Sequence, residues 1–262
     1  MIENSIKILS NSSVISDTFL LRLQSPELAA SATPGQFLMV RVNDSIDPAL
    51  RRPFSICGVE DESIIKILYK VVGKGTQSLS NKKAGDSLSI LGPLGKGFDL
   101  PDQIKKTFFV AGGMGIAPLL FLSQKTELTN ITFLTGFRTS GEIIEPSLAG
   151  YKIDNLIATD DGSMGYNGRV TDLLVENLEQ NKMKDIGICT CGPLPMLKAV
   201  SKIYLKYDIP CQVSMETFMA CGIGVCQGCV VRSDTARTDK SYLHVCKEGP
   251  VFDINEIDWE NI

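Results

Sequence analysis

Four cysteines near the carboxyl end constrain the fold of this chain more than any other feature. They are spaced C-x4-C-x2-C, and a gap of sixteen residues separates the third from the fourth: Cys221, Cys226, Cys229 and Cys246. This spacing is typical of a plant-type [2Fe–2S] cluster, whose two irons are held by four soft thiolates. Glycines lie between the ligands and permit the left-handed backbone that a tight loop requires. The segment therefore predicts a [2Fe–2S] site.

Three other interpretations of these cysteines agree less well with their spacing. A structural zinc site usually shows two C-x2-C pairs, and this segment has one. Two disulfides would suit a small secreted domain, whereas this chain has 262 residues. Unrelated buried thiols would not normally cluster among glycines. A Rieske centre needs two histidines, and the sequence contains only His244, which we expect at the surface or outside the ligand shell.

Composition argues against several classes of function. The chain is long enough for two domains and a small third one. Its net charge is −4 and it has no basic run, which argues against nucleic-acid binding. The most apolar stretch, residues 107–122, is broken by glycines and a proline and is too short to cross a bilayer. The chain starts without signal-peptide features, and its other cysteines have no regular spacing, so we expect a cytoplasmic protein with reduced thiols.

Residues 1–100 are predicted to form a β domain. Six short segments, rich in β-branched and aromatic residues and separated by polar or Gly/Pro breaks, have the character of strands. They are residues 5–9, 18–23, 37–42, 55–59, 64–71 and 87–91. Such a succession favours an antiparallel barrel or sandwich. We expect only one short helix in this region, near residues 75–81.

Two segments of this region could bind a diphosphate. Arg52-Pro53-Phe54-Ser55 places a cation beside an extended backbone that can lie along a flat ring. Gly75-Thr76 follows a strand and begins a helix, where glycine and a hydroxyl suit a phosphate. Considered alone, Arg52 could be a surface charge and the glycine loop a surface turn.

Residues 101–205 have the alternation of a doubly wound α/β domain. Gly112, Gly113 and Gly115 lie between its first strand and first helix, where a dinucleotide diphosphate binds in such sheets. The G-x-G-x-x-G fingerprint itself is absent. The predicted strands are residues 107–111, 131–136, 155–159 and 186–190, and the predicted helices end near 123 and span 170–178 and 194–206.

A pair of carboxylates follows the third of these strands. Asp160 and Asp161 would repel the 2′-phosphate of NADPH, but they can accept hydrogen bonds from ribose hydroxyls. The sequence therefore favours NADH over NADPH. The alternative is a simple turn, because Asp-Asp-Gly is good turn chemistry.

The first hundred residues resemble the flavin-binding barrel of the ferredoxin–NADP reductase superfamily. Three segments carry the resemblance: Arg52-Pro53-Phe54-Ser55, Leu68-Tyr69-Lys70 and Gly75-Thr76. The resemblance implies that these residues hold FAD, with the Arg-x-x-Ser stretch and the Gly-Thr loop at its diphosphate. Residues 92–98 resemble the segment that closes the barrel.

The following residues resemble the nucleotide-binding domain of the same superfamily. The glycine loop is its Gly-Gly-x-Gly-x-Ala-Pro version, and Cys191-Gly192-Pro193 resembles its Cys-Gly-Pro motif. The resemblance implies that Cys191 lies near the nicotinamide ring that stacks on the flavin. Without the resemblance, Cys191 would be interpreted as a buried thiol at a strand end.

The whole chain resembles, more narrowly, the electron-transfer subunits of type B, NAD-dependent dihydroorotate dehydrogenases. The resemblance implies an FAD-binding barrel at 1–100, an NAD-binding α/β domain at 101–205 and a [2Fe–2S] segment at 206–262. The specific segments are Met215-Glu216-Thr217-Phe218-Met219-Ala220-Cys221-Gly222 and Thr159-Asp160-Asp161-Gly162-Ser163.

This family has a separate catalytic subunit, which carries FMN and oxidises dihydroorotate in pyrimidine biosynthesis. The resemblance implies that FAD exchanges a hydride with NAD, that the cluster relays single electrons, and that the complex is a heterotetramer with two copies of each chain. The sequence has no evident dihydroorotate site or general base, so no catalytic residue is assigned to it. Met215, Phe218 and Met219 form either an apolar rim that the partner covers or ordinary core packing.

Two alternatives remain open. One is a subunit of a related NAD(P)H–ferredoxin or sulfide-type flavin complex, whose partner carries further clusters. The other is a non-catalytic, redox-sensing iron–sulfur protein with vestigial flavin and nucleotide motifs. A flavin absorption peak would contradict the second alternative, and the identity of a co-purifying partner would decide the first.

Overall fold

A closed antiparallel barrel forms the amino-terminal part of the chain. The computed structural model describes residues 2–43, 45–101, 103–125, 131–180 and 185–262, so that Met1, where the first predicted domain begins, lies outside them. The strands are β1 (Ile2–Ile15), β2 (Thr18–Gln24), β3 (Phe37–Arg41), β4 (Arg52–Glu60), β5 (Ile64–Lys70) and β6 (Ser87–Leu94). They close in the order β1-β2-β5-β4-β3-β6, which confirms the predicted barrel.

Alternating side chains fill the barrel. Leu21 and Leu23 of β2 lie opposite Ile67 and Ile65 of β5, and all four side chains are fully buried. Because side chains two residues apart on a strand point to the same face, this alternation directs one face of each strand to the interior. The barrel therefore has an apolar core of its own.

Two short helices connect the barrel strands, α1 (Pro26–Ser31) and α2 (Lys74–Ser80). Only α2 was predicted. The α1 helix has proline in its first turn, and the Ser25 hydroxyl accepts a hydrogen bond from the Leu28 N–H at 3.2 Å, which caps the helix. Its six residues are too few for a helical period to be recognised in the sequence.

A seven-stranded sheet forms the rest of the structure. The strands that follow the barrel are β7 (Lys106–Gly112), β8 (Ile131–Phe137), β9 (Asn155–Thr159), β10 (Tyr166–Asn167), β11 (Ile186–Cys191), β12 (Cys211–Ser214), β13 (Val230–Arg232), β14 (Tyr242–His244) and β15 (Val251–Asp253). The helices are α3 (Ile116–Lys125), α4 (Val170–Gln180) and α5 (Leu194–Tyr207). The sheet order is β10-β9-β8-β7-β11-β12-β15, with β13 and β14 as a separate hairpin. All neighbours in the sheet are parallel except β12 and β15, which confirms the predicted parallel-sheet domain.

The most apolar stretch of the sequence becomes the central strand and the helix that covers it. Phe108 packs with Leu174 of α4, whereas its neighbour Phe109 packs with Leu120 of α3 on the opposite face. A strand that is buried on both faces has apolar side chains at successive positions, which explains why this stretch of the sequence is continuously apolar. Among the described residues, no helix is long and apolar enough to cross a membrane.

The chain beyond residue 205 adds two strands to the same sheet. The β12 strand pairs with β11, and β15 pairs antiparallel with β12, so that Ser214 lies opposite Val251. All four cysteines of the predicted cluster fall between these two residues. Residues 215–250, here called the cysteine loop, are therefore closed at their base by backbone hydrogen bonds. The boundaries at residues 100 and 205 stay predictions.

Polar contacts fix the barrel against the sheet. The Tyr151 hydroxyl donates to the backbone oxygen of Cys57 at 2.6 Å. The buried Lys66 ammonium donates to the backbone oxygen of Ala149 at 3.0 Å and lies 4.1 Å from the centre of the Tyr151 ring. Buried polar groups are tolerated where they are hydrogen-bonded, and each of these bonds joins β4 or β5 to the chain that follows β8. The two bodies therefore keep a defined mutual position.

Candidate functional site

The four cysteines of the cysteine loop lie as two pairs. The Cys221 thiol is within hydrogen-bonding reach of Cys226, and the Cys246 thiol is within reach of Cys229. The first pair reaches the surface and the second is buried, so they are here called the outer and the inner pair. No three Cys, His, Asp or Glu side chains of the described ranges surround a single metal position. Two pairs fit a cluster in which each of two irons takes two thiolates, rather than a mononuclear zinc site.

Backbone N–H groups of the loop point at the sulfurs. The Gly224 N–H donates to the Cys246 sulfur at 3.0 Å, and the Cys226 N–H donates to the Cys221 sulfur at 3.4 Å. Hydrogen bonds to sulfur, chiefly from the Ile223 N–H, lower the pKa of Cys221 to about 6. Burial raises the pKa of Cys246 to about 12. Because the thiolate is the form that binds metal, the loop backbone favours this form at Cys221, whereas burial disfavours it at Cys246.

The cysteine loop packs on the barrel. Gly222 adopts φ +73°, and a Cβ at this position would lie 2.6 Å from Cγ of Met39 on β3. The Lys96 N–H, just beyond β6, donates to the backbone oxygen of Gly249 at 2.5 Å. Glycine is therefore required at position 222 both for its backbone conformation and for this close approach.

A cleft of about 340 Å³, here called the barrel cleft, opens on β4 and β5. Most residues predicted to hold FAD line it: Arg52, Pro53, Phe54, Ser55, Leu68, Tyr69, Lys70 and Thr76. Gly75 lies behind this wall, and a Cβ there would stand 2.8 Å from Nε of Arg52. The opposite wall comes from the strand end and loop before the first cysteine, with Met215, Glu216, Thr217 and Met219. Sequence reasoning did not assign these four residues to the flavin.

Two features of the barrel cleft fit a large polar ring system. The hydroxyl oxygen of Thr217 is buried and has no hydrogen-bond partner in the part of the chain that the structure describes. Such an atom indicates a polar group that the site still has to receive. The aromatic wall is held in place, because the Tyr69 hydroxyl donates to Asn11 at 3.0 Å and Phe54 meets the Tyr69 ring edge-on at 5.6 Å between centres. The cleft therefore combines a preformed apolar surface with the Thr217 hydroxyl, which is available to hydrogen-bond a ligand.

The two neighbouring arginines of the motif have different surroundings. Arg51 donates to the backbone oxygen and the hydroxyl of Ser89 at 2.6 and 2.8 Å, so it joins barrel strands. Arg52 instead lines the cleft. The Thr76 hydroxyl accepts from the Gly73 N–H at 3.2 Å and thereby shapes the start of α2. Of the predicted diphosphate contacts, Arg52 is the cation that the cleft exposes.

A second cavity of about 480 Å³, here called the sheet pocket, lies at the carboxyl ends of β7, β8, β9 and β11. Ligands of open α/β sheets bind at this edge. Of the predicted nucleotide residues, Gly112, Gly113, Asp160 and Pro193 line it, together with Lys70, Gly136, Phe137, Arg138, Glu142, Arg169, Val170, Thr171, Pro195, Met196 and Ala199. Gly113 adopts φ +51°, and a Cβ there would meet no atom within 4 Å, so its open side faces the pocket.

The remaining predicted nucleotide residues bring two loops into contact behind the sheet pocket. A Cβ at Gly115 would overlap the backbone oxygen of Cys191, and one at Gly192 would lie 2.9 Å from the Gly112 nitrogen. Burial raises the pKa of the Cys191 thiol, and the carboxyl group of Glu216 raises it further. Cys191 and Glu216 are thus neighbours where the sheet meets the barrel cleft.

The two aspartates after β9 have separate surroundings. Asp160 lines the sheet pocket. The Asp161 carboxylate accepts from the Ser163 N–H at 3.0 Å and from the Ser163 hydroxyl at 2.6 Å, so it closes the turn. Of the pair proposed for ribose hydroxyls, Asp160 is the one that the pocket exposes.

An ion cluster that sequence reasoning missed lies at the mouth of the sheet pocket. Nε of Arg138 donates to Glu142 at 3.1 Å, and the guanidinium makes a second short bond to the same carboxylate. Nζ of Lys70, on the barrel, lies 3.6 Å from that carboxylate. Only the Arg-x3-Glu spacing could have indicated the pair, and the barrel lysine is remote in sequence.

Glu216 is the second residue that sequence reasoning did not assign to a site. Desolvation by the surrounding protein raises the pKa of its carboxyl group above the ordinary value, although the open cleft leaves the residue exposed to solvent. It lines the barrel cleft and lies near enough to Cys191 for its charge to raise the pKa of that thiol. Its only sequence signal is its place in the motif before the first cysteine.

The surface around the outer pair is apolar. Phe218 is 96% exposed, and Ile223 and Val225 are also exposed; these three residues are here called the apolar rim. Met215, by contrast, is core, and Met219 is half-buried against the same core. Of the three residues considered for a partner surface, only Phe218 belongs to it.

Two residues with an open role have local partners. Nδ1 of His244 lies 3.0 Å from the Glu248 carboxylate, and its Nε2 is buried without a hydrogen-bond partner among the described residues. The Trp259 indole donates to the backbone oxygen of Ile254 at 2.7 Å, so the tail packs back on the body.

Comparison with known proteins agrees with this division into three sites. Residues 5–98 match the oxidoreductase FAD-binding domain, residues 109–202 the oxidoreductase NAD-binding domain, and residues 216–258 the iron–sulfur cluster binding domain of dihydroorotate dehydrogenase B. The chain is 38% identical over 260 residues, 97% of each chain, to the dihydroorotate dehydrogenase B (NAD(+)) electron transfer subunit of Desulforamulus reducens. It is 41% identical to the subunit of the same name from Clostridium acetobutylicum, over 84% of this chain and 83% of that one.

A solved structure also matches the whole fold. It is the NADH-dependent reduced ferredoxin-NADP oxidoreductase, which aligns with a TM-score of 0.83 at 29% identity. The alignment covers 98% of this chain and 90% of that chain.

Proposed function

The chain belongs to the family of electron transfer subunits of NAD-dependent dihydroorotate dehydrogenase B, and from this we propose that it carries electrons between an FMN-containing catalytic subunit and NAD. The observation that supports this path is the position of the barrel cleft between the other two sites. Lys70 lines both the barrel cleft and the sheet pocket, and Met219, in the cleft, precedes Cys221 by two residues. Two steps along the chain span at most about 7.6 Å between Cα atoms, so the cysteine loop begins beside the cleft.

Each site has residues that fit its group. Arg52, Pro53, Phe54, Ser55, Leu68, Tyr69, Lys70, Gly75 and Thr76 would hold FAD, and Gly112, Gly113, Gly115, Asp160, Asp161, Cys191, Gly192 and Pro193 would hold NAD or shape its pocket. Cys221, Cys226, Cys229 and Cys246 would hold the cluster. When bound, these groups supply hydride exchange and one-electron storage. The chain's own contribution is to orient them and to exclude water.

The apolar rim supports a docking surface at the outer pair. Electron transfer falls steeply with distance, so a partner has to approach the outer pair, the half-buried Cys221 and the exposed Cys226, closely. Three exposed apolar side chains beside them are the kind of surface that a partner buries. The proposed partner is the FMN subunit, in a cytoplasmic heterotetramer of two copies of each chain that serves pyrimidine biosynthesis.

The experiment that tests this division of labour uses the isolated chain and the mixture. The isolated chain, loaded with FAD and cluster, should not reduce NAD⁺ with dihydroorotate, because the oxidation of that substrate is assigned to the FMN subunit. Addition of the FMN subunit should start turnover, and Cys226→Ala should abolish it. Turnover by the isolated chain would refute the proposal.

The flavin and the nucleotide are proposed to be FAD and NAD(H). Denaturation should release FAD, and release of FMN alone would overturn this assignment. Diaphorase assays should favour NADH over NADPH, because Asp160, of the predicted pair Asp160 and Asp161, places a carboxylate in the sheet pocket. Equal efficiency with both nucleotides would contradict the charge argument.

One related function has its own support. The similarity to the NADH-dependent reduced ferredoxin-NADP oxidoreductase supports a subunit of a ferredoxin-linked complex as the second candidate. Its lower identity, 29% against 38% and 41% for the dihydroorotate dehydrogenase subunits, makes it the weaker one. Purification of the native complex decides between them, since an FMN subunit supports the first candidate and a partner with further clusters supports the second.

A further inference from the structure

The ion cluster at the mouth of the sheet pocket joins the two halves of the protein through one carboxylate. Glu142 accepts two hydrogen bonds from Arg138, which follows β8 of the sheet, and lies 3.6 Å from Lys70 at the end of β5 in the barrel. The hydrogen bonds from Arg138 lower the pKa of Glu142, so the carboxylate is ionised at neutral pH. Glu142 is therefore an anion that two cations already hold.

Lys70, Arg138 and Glu142 all line the sheet pocket, which the open side of Gly113 also faces. In open α/β sheets the diphosphate of a dinucleotide lies at this glycine loop, after the first strand. The described lining contains three cations, Lys70, Arg138 and Arg169, and two carboxylates, Glu142 and Asp160. A diphosphate that enters this cavity meets Glu142 as the competitor for the same cations.

We propose that Glu142 is an internal competitor of the dinucleotide diphosphate, which holds Arg138 and Lys70 until a dinucleotide displaces it. The inference rests on the proposed NAD site. Glu142 would lower the affinity for every ligand with a diphosphate, and it would lower it most for the more highly charged NADPH. It is thus a specificity-determining residue, in addition to Asp160.

The backbone around Glu142 allows this exchange without rearrangement of the loop. The Ser140 N–H donates to the Ser163 hydroxyl at 2.7 Å, and the Asp161 N–H donates to the backbone oxygen of Arg138 at 3.2 Å. The turn after β9 therefore holds the loop that carries both members of the ion pair. Displacement then needs only rotation of the partly exposed Glu142 side chain.

The test uses the protein loaded with FAD and cluster. Calorimetric titration at low salt measures the dissociation constants of NAD⁺, NADP⁺, ADP-ribose and adenosine for wild type and Glu142→Gln. The substitution should lower the constants for NAD⁺ and ADP-ribose about two- to five-fold, the size expected for one partly exposed ion pair. It should lower the constant for NADP⁺ by a larger factor and leave adenosine, which has no phosphate, unchanged.

Glu60→Gln provides a matched control, because Glu60 makes a similarly short and partly exposed ion pair with Arg22, and neither residue lines the sheet pocket. This control should leave all four constants unchanged. In an Arg138→Gln background, Glu142→Gln should give a smaller gain. Flavin absorption and the melting temperature verify that the variants fold, and Glu142→Ala should change the constants in the same direction.

The outcomes separate the inference from the function on which it rests. Wild-type protein that binds no NAD⁺ would refute the proposed nucleotide site and, with it, this inference. Wild-type binding of NAD⁺ with weaker or unchanged binding by Glu142→Gln would overturn the inference alone and leave the proposed function standing. An equal gain for adenosine would also overturn it, because the diphosphate would then not be the competing group.

Discussion

The barrel and the cysteine loop hold their cofactor sites in different ways. One wall of the barrel cleft is built on β4 and β5, whose inner side chains belong to a closed apolar core, and the opposite wall comes from the first residues of the cysteine loop. The cysteine loop has only one short hairpin between its closed ends, and glycine backbone and N–H···S bonds position its ligands. The buried apolar side chains of the barrel stabilise it whether or not flavin is bound. The loop, all of which the structure describes, has no such core of its own, so we expect its fold to depend on metal ligation. One chain thus carries a preformed site beside a site that its metal completes.

Loss of one outer cysteine should separate the two regions most sharply. Cys226→Ala removes one of the four proposed ligands, and we expect complete loss of iron and labile sulfide while the barrel residues keep FAD. Metal and sulfide analysis together with the flavin spectrum measure both. Wild-type protein should hold two irons and two sulfides per chain.

The control for this variant is Cys57→Ala, which removes a buried thiol of β4 outside the cysteine loop. It should keep both cofactors. Loss of FAD together with iron in Cys226→Ala would contradict the independence of the barrel, and one zinc without sulfide in the wild type would refute the cluster.

A cavity in the barrel core should weaken flavin binding and leave the iron in place, the reverse of the result expected for Cys226→Ala. Ile56 is fully buried in the barrel core, and Ile56→Ala should lower the free energy of unfolding by about 2–5 kcal/mol. The variant should release flavin at a lower temperature but, below its melting point, keep its iron. Ile46→Ala, at a side chain that is 92% exposed, should change the stability by less than about 0.5 kcal/mol. Iron loss from folded Ile56→Ala would show that the loop shares the barrel's stability.

A single methyl group should test the contact between the two regions. In Gly222→Ala, the added Cβ would crowd Met39 in a left-handed backbone, and we expect destabilisation of the loop by about 1–3 kcal/mol. The measurement is the rate at which a chelator removes iron. Gly85→Ala shares the positive φ but meets no atom within 4 Å, and it should leave that rate unchanged. Equal rates in the two variants would argue against the packing of the loop on β3.

The smallest effect is expected at Glu216, a residue of the cysteine loop that lines the barrel cleft, and it depends on pH. Desolvation by the surrounding protein raises the pKa of Glu216, although the open cleft leaves this residue exposed to solvent, so the folded state holds the proton more tightly than the unfolded state. The stability from this proton is complete below the unfolded pKa of about 4.3 and is lost as the pH rises through the raised folded value. Glu216→Gln should therefore raise the free energy of unfolding slightly at neutral pH, because solvent screens an exposed carboxylate, and have little effect in acid.

Denaturant titrations across this pH range measure the difference between Glu216→Gln and wild type. Glu62→Gln, at an exposed carboxylate of a turn, should follow the wild type at each pH. A gain that does not grow with pH would contradict desolvation of the Glu216 carboxyl group as the cause.

Sequence patterns predicted the fold where local chemistry decides the structure. The predicted and observed bounds of β9 (Asn155–Thr159) coincide, because an apolar strand there is followed by turn residues. The β1 strand is longer than predicted, since Asn11 and its serine neighbours lack a strand pattern and pair with β2 through the backbone. Such pairing depends on residues that are distant in sequence, which no local pattern contains.

The candidate site was predictable as motifs but not as an arrangement. The cysteine spacing indicates four ligands, but only the fold divides them into an outer and an inner pair. Glu142 acquires its role because the barrel brings Lys70 to it, and Asp161 has its carboxylate occupied by Ser163. The assignment of individual residues to FAD and NAD stays a prediction, for which the cavities supply the geometry.

The seven-stranded sheet ends on very short strands, which bears on how the protein associates. Its two edges are β10 (Tyr166–Asn167) and β15 (Val251–Asp253), of two and three residues. A long flat edge offers a row of unpaired N–H and C=O groups that templates pairing with another chain and leads to aggregation. Edges of two and three residues offer very few unpaired N–H and C=O groups with which a strand of another chain could pair. We therefore expect this sheet domain to associate through its side-chain surfaces rather than by pairing of strand edges.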